Sequence, residues 1–275
     1  MTNRLKIAVV AESTGLPLRQ VIEKASEWGC QGIQFDAVGD LAPDRLGETG
    51  QREFRNLLRS YNLELSALNC PIRRGLDVPE DLQPRLDFIR KVMGLSFELG
   101  AKIAIAPCPA LPEKQEPEVE DLRTNTLKDS LEALSSHGDR FGCLVALEAG
   151  IDPGEKLKAY LAEYDRGSLT VCFDPANFLL NGHDPLANLA SLAGCVSLTN
   201  ARDAKSNRVA GGGEEVALGA GDIEWMAFVA TLESIGYSGY LTVKRTGGMT
   251  RLADVGNGVK FLRRFVGPVE NPRFN

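Results

Sequence analysis

Two acidic residues stand out because of what precedes them. Glu148 ends the run LVALE and Asp174 ends TVCFD, each carboxylate following four apolar or small residues. Charges in such places need a partner or a task, because burying an unpaired charge is costly. Carboxylates on neighbouring parallel strands, about 4.8 Å apart, can share one ligand. Such a pair serves as ligands for a hard cation, as acid and base in proton transfer, or, if one member meets an arginine, as a structural ion pair. A third residue raises the complementary question. Lys244 closes GYLTVKR (239–245), another buried-strand pattern, and an ammonium there requires an acidic neighbour.

The elements that must carry these residues recur along the whole chain of 275 residues. Apolar strand-like runs lie at 5–12, 32–38, 64–70, 102–108, 143–150, 169–177, 195–201 and 239–245. They lack strict alternation, as parallel strands covered on both faces do. Amphipathic helical patterns fill the gaps, several ending in glycine, and the last spans about 250–266. Eight strand–helix repeats of about 34 residues predict a single-domain (β/α)8 TIM barrel over 1–275. A doubly wound sheet would carry a G-x-G-x-x-G turn after the first strand, where AESTGLP stands instead. The stretch 202–224 reads as a long seventh βα-loop.

Bulk composition narrows the function. With 43% hydrophobic residues the chain can bury a large core, and its net charge of −6 disfavours a nucleic-acid partner. Neither a signal peptide nor a membrane span is expected, which predicts a cytoplasmic protein without membrane association. The six cysteines form no C-x-x-C pair and read as reduced thiols. Two histidines, His137 and His183, exclude a histidine-rich metal cluster.

In a barrel of this kind chemistry belongs to the C-terminal strand ends. There lie Glu12, Asp36, Asn69 with Arg73 and Arg74, Glu148, Asp174 with Asn177, Asn200 with Arg202 and Asp203, and Lys244 with Arg245. Glu12, Arg74 and Asp203 read as solvated rim residues. Asp36, Arg73, Asn177, Asn200, Arg202 and Arg245 are candidate substrate contacts, Arg73 by gripping a sugar oxygen or a phosphate. RTGGMT (245–250) precedes the last helix, where backbone N–H groups can bind phosphate, or where a loop simply turns. Cys70 and Cys108 lack a predictable base and read as packing. His183 reads as a loop residue, and GGGE (211–214) lacks the context of a P-loop.

At these residues the chain resembles the xylose isomerase-like TIM-barrel family of sugar phosphate isomerases and epimerases. GCQGIQFDA, LEAG, FDPANFLLNGHDP, NARDA and GAGDIEWMAFVATLESIGYSGYLTV carry the resemblance over nearly the whole length. It implies one divalent metal (Mn, Mg or Zn) at the barrel mouth. The ligands are glutamate, aspartate, histidine and glutamate from the fifth to eighth strands, the two glutamates also acting as acid and base. Glu148 and Asp174 match that set and would be the metal ligands if a metal binds. The seventh-strand pattern His-x-Lys-Asp reads Asn200-Ala201-Arg202-Asp203, and the last glutamate falls on Lys244. An ammonium there removes a ligand and repels a metal, so no cofactor is expected. Lys244 is expected to fill the vacated space, to neutralise Glu148 and Asp174, and to stay charged.

Glu148, Asp174 and Lys244 are therefore the candidate catalytic residues of a metal-free isomerase or epimerase acting on a small carbohydrate or sugar phosphate. A barrel that binds sugar without catalysis, as a regulatory protein would, is the alternative. A Schiff-base aldolase ranks below both, because two adjacent carboxylates oppose a neutral amine. A homo-oligomer is compatible with any of these.

Overall fold

A computed structural model of the chain describes residues 5–113, 121–164, 167–207 and 212–266. Eight strands form where the apolar runs predict them. They are β1 (Lys6–Val10), β2 (Gly32–Asp36), β3 (Glu64–Asn69), β4 (Ile103–Pro107), β5 (Leu144–Glu148), β6 (Leu169–Phe173), β7 (Val196–Ala201) and β10 (Tyr240–Val243). They close into a barrel in the order β1-β10-β7-β6-β5-β4-β3-β2, every neighbouring pair parallel. The seam joins first to last strand, Lys6 opposite Tyr240 through Val9 opposite Val243.

The runs look continuously apolar because both faces of each strand are buried. One face, including Ile7, Val9, Ile33 and Phe35, packs outward on helices. The other fills the barrel with Ala67, Ile105, Ala146, Cys172 and Leu198. The helices are α1 (Leu18–Glu27), α2 (Glu48–Ser60), α3 (Leu82–Leu99), α4 (Leu122–Phe141), α5 (Gly154–Leu161), α6 (Pro175–Leu180), α7 (Pro185–Ser191), α8 (Trp225–Ser234) and α9 (Arg251–Leu262). Each presents an apolar stripe to the sheet, as with Val21, Ile22 and Ala25 of α1. The Tyr240 ring enters the barrel floor against Gly32, where a β-carbon would collide with it, and its hydroxyl bonds Glu64. No described helix is long and apolar enough to cross a membrane.

Three details depart from the sequence reading. The seventh loop is partly built: β8 (Asp203–Ser206) and β9 (Gly213–Val216) form an antiparallel hairpin, with Lys205 opposite Glu214. Its polar, glycine-rich composition hides a ladder held by backbone bonds, with opposite charges facing each other across it. Gly211, the first glycine of GGGE, lies outside the described residues. Second, β6 stops at Phe173, because Asp174 caps α6 and accepts from the N–H groups of Ala176 (3.1 Å) and Asn177 (3.3 Å). The dipeptide Asp174-Pro175 was the readable signal, an N-cap followed by proline in the first turn.

Third, Asp203 is no rim residue but is almost fully buried. Its carboxylate accepts from Gly219 N (2.8 Å), Gly221 N (3.2 Å), Ala204 N (2.9 Å) and the Trp225 indole N–H (2.9 Å). A β-carbon on Gly221 would strike that carboxylate, so GAGD is shaped to wrap it. One acidic side chain thus folds the loop from β9 into α8.

Candidate active site

Glu148 is the last residue of β5, Asp174 follows β6, Asn200 lies near the end of β7, and Lys244 directly follows β10. These strands are consecutive around the barrel, so their ends share one side of its mouth. The Lys244 ammonium contacts Glu148 Oε1 and lies 3.7 Å from Asp174 Oδ2. Asn200 Nδ2 donates to the same Glu148 oxygen at 2.9 Å. Arg202, just beyond β7, holds its Nε 3.4 Å from Asp174 Oδ1 and donates to Asn177 Oδ1. Asn177 Nδ2 in turn donates to the Ala149 carbonyl at 3.3 Å.

Asp174 is fully buried, and the Lys244 side chain is 16% exposed. Burial, the largest influence, works against the lysine's charge. Glu148 and then Asp174 outweigh it, so the Lys244 pKa lies above its ordinary value. Burial also raises the Asp174 carboxyl above the usual carboxylate range, while Arg202 and Lys244 pull it back. Three buried atoms here have no hydrogen-bond partner among the described residues: Asp174 Oδ2, Asn200 Oδ1 and Arg202 Nε. Asp174 Oδ2 nonetheless faces the Lys244 ammonium and Arg202 Nε faces Asp174 Oδ1, so Asn200 Oδ1 is the one acceptor of the three with neither a hydrogen bond nor an ion pair.

The model of a family described as xylose isomerase-like TIM barrel matches residues 22–265. The chain belongs to that family. No curated protein sequence matches it. Among solved structures, a xylose isomerase domain protein from Planctomyces limnophilus is 23% identical with a TM-score of 0.82, covering 96% of this chain and 98% of its own. The 3-keto-D-glucoside 4-epimerase YcjR from E. coli is 16% identical, TM-score 0.75, covering 95% and 100%. D-allulose 3-epimerase from Methylomonas sp., in complex with D-allulose, is 15% identical, TM-score 0.73, covering 95% and 97%. At these identities the likeness shows the fold.

The xylose isomerase-like pattern of metal ligands does not fit the residues present. Lys244 lies between the two carboxylates that a cation would bridge, and Asn200 donates its amide to Glu148 rather than offering an imidazole. Among the described residues no three His, Cys, Asp or Glu side chains converge into a cage. The charge balance is nonetheless kept. A glutamate with a bound dication carries a net single positive charge, and so does one lysine.

The remaining candidates divide by position. Asp36 lies across the mouth, where its N–H donates to Glu12 Oε1 at 2.8 Å and Asn69 Nδ2 donates to its Oδ1 at 2.8 Å. Glu12 is exposed at the rim, and partial burial of its carboxyl beside the Asp36 carboxylate pushes it up to about 7. Arg73 is exposed, and Arg74 makes a surface pair with Asp81. Arg245 turns away from the cluster, forming ion pairs with Glu215 (3.2 Å) and Asp254 (3.1 Å). Glu215 also accepts from Thr246 N at 2.8 Å, which occupies one amide of the stretch considered for phosphate.

His183 bonds the Ile151 carbonyl at 2.9 Å and packs on Phe178. Cys70 is buried, and burial pushes the Cys108 thiol up to about 12, so both behave as packing groups.

Proposed function

We propose that the protein is a carbohydrate isomerase or epimerase whose electrophile is Lys244 in place of a metal ion. The contact of its ammonium with Glu148, close to Asp174, carries this reading. An ammonium in a water-poor mouth stabilises the oxyanion formed when a proton leaves the carbon next to a carbonyl. Glu148 is the base for that proton: it already rests on the lysine, so base and electrophile face the same bond. Asn200 Oδ1, which has no hydrogen-bond partner, is suited to a substrate hydroxyl, and Arg202 with Asn177 holds Asp174 in place. The sugar-handling neighbours named above support a small carbohydrate as substrate. Asp36 is assigned to the far end of that ligand.

The test is solvent deuterium exchange into a panel of ketoses and aldoses, followed by proton NMR on EDTA-treated protein. Exchange is expected in the wild type and is lost in Glu148→Gln and Lys244→Met. Sugar binding without exchange would replace the enzyme reading by the binding-protein reading. After dialysis against Mn2+, metal content near one ion per chain would overturn the metal-free assignment.

A further inference from the structure

The proposed proton transfer occupies one side of the barrel mouth, and the opposite side carries polar groups that it does not use. Asp36 ends β2 and Asn69 ends β3; the two are paired in register, and Asn69 Nδ2 donates to Asp36 Oδ1 at 2.8 Å. Their neighbours Phe35 and Leu68 pack outward against the helices, whereas Ala67 belongs to the filling of the barrel. Side chains alternate along a strand, so Asp36 and Asn69 face inward at the mouth. In the closed ring β2 is four strands from β6, and β3 is four strands from β7, in either direction. The Asp36–Asn69 pair therefore lies diametrically across the mouth from Asp174 and Asn200. An eight-stranded barrel has room there for one small ligand.

The unfilled groups on both sides are acceptors. Asn200 Oδ1, and Gln34 Oε1 one step deeper below Asp36, have no hydrogen-bond partner among the described residues, although Asn200 is only 1% exposed and Gln34 4%. Asn69 occupies one oxygen of Asp36, and the other can accept as well. Hydroxyl groups supply the missing hydrogens, and an ionised phosphate has none to give. The groups suited to phosphate are meanwhile engaged by the chain's own carboxylates. Glu215 and Asp254 flank Arg245, Glu215 takes the Thr246 N–H, Asp174 faces Arg202, and Asp81 pairs with Arg74. Arg73 is exposed in the loop after β3.

We infer that Asp36 and Asn69 form a second hydroxyl-binding subsite, which selects an uncharged sugar with hydroxyls at both ends against its phosphate ester. The inference rests on the proposed carbohydrate function and narrows it. Asp36 accepts from a distal hydroxyl, with the Asn69 hydrogen bond holding its carboxylate, while Asn200 Oδ1 accepts from a hydroxyl near the reacting carbons. A phosphate at the distal position would bring a dianion against Asp36 and leave the acceptors unsatisfied, and both effects weaken binding.

The test is titration of the full chain with D-fructose, D-tagatose and D-allulose, each against its 6-phosphate, followed by saturation-transfer NMR. At least one free ketose is expected to bind, about tenfold or more tightly than its ester. Asp36→Ala should weaken that ketose by about tenfold or more, the loss of one hydrogen bond to a charged group. Asp36→Asn keeps an acceptor for Asn69, removes the charge, and should narrow the gap between ketose and ester. An ester that binds as tightly as its parent sugar would overturn the inference, and loss of that binding in Arg73→Ala would place the phosphate on Arg73 instead. Unchanged affinity in Asp36→Ala with an unchanged gap in Asp36→Asn would remove the subsite. Deuterium exchange into a phosphorylated sugar but no free one would overturn this inference and leave the proton-transfer function standing. A free ketose that binds through Asp36 without exchange would do the reverse, and a protein that neither binds nor exchanges any of these sugars would overturn both.

Discussion

Replacing Lys244 with methionine keeps most of the side chain's length and removes its charge. At 3.7 Å, and with an effective dielectric constant of about 20, its attraction to Asp174 alone is about 4.5 kcal/mol. The contact with Glu148 adds to this, and the cost of desolvating the ammonium subtracts. Removing one member of a buried pair costs about 3–5 kcal/mol, because the partner is left uncompensated. Here Arg202 still faces Asp174 Oδ1 and Asn200 still donates to Glu148, so the low end, about 3 kcal/mol, is expected. At about 2–4 °C per kcal/mol that is a fall in Tm of about 6–12 °C, read by circular dichroism at pH 8.

The sign with pH follows from Asp174. Its carboxyl is already raised by burial, and losing the lysine raises it further. A carboxyl whose folded pKa exceeds the unfolded one destabilises the fold when ionised, so the deficit shrinks as pH falls towards about 5. Glu148→Gln in the Lys244→Met background removes the unpaired charge and should recover at least half of the loss. A Lys244→Met protein within 2 °C of wild type at every pH, about the effect of a single kcal/mol or less, would refute the ion-pair account.

Three further outcomes can be measured. Lys244→Glu combined with Asn200→His rebuilds the family's donor set and should bind Mn2+ near one ion per chain by elemental analysis; failure would mean that the strand ends are wrongly matched. Asp203→Ala leaves the N–H groups of Gly219, Gly221 and Trp225 without their acceptor, and at about 1–3 kcal/mol for each unsatisfied group it should lower Tm strongly and alter the near-UV signal of Trp225. For Glu12, the folded pKa of about 7 exceeds the unfolded value of 4.5, so the fold binds the extra proton and loses stability as pH rises between those values. Glu12→Gln should flatten that part of the Tm profile.

The barrel was legible because strands covered on both faces must be written as apolar runs, and Glu148 was legible because it interrupts one. The partnership of Lys244 with Glu148 and Asp174 followed from matching strand ends, and those side chains do meet. What stayed hidden depends on contacts distant in sequence. Asp203 looks like any loop aspartate until the glycines 16 and 18 residues later return to it. Arg245 looks available until Glu215 and Asp254 flank it. The hairpin at 203–216 is drawn from residues that are polar on their own and ordered only in register. Glu12 is exposed at the rim, as read, but nothing near it in sequence reveals Asp36, which approaches from the next strand.

The seam between β1 and β10 has a consequence for how the protein is made. Synthesis proceeds from the N-terminus at about 5–20 residues per second, so Glu148 and Asp174 leave the ribosome well before Lys244. Until the last strand docks, the nascent chain holds two carboxylates destined for burial without the lysine that balances them, and β1 without its second neighbour. Closing the ring and discharging this electrostatic debt are one event. A chain cut short before that strand would therefore lack both the closed ring and the lysine of the cluster.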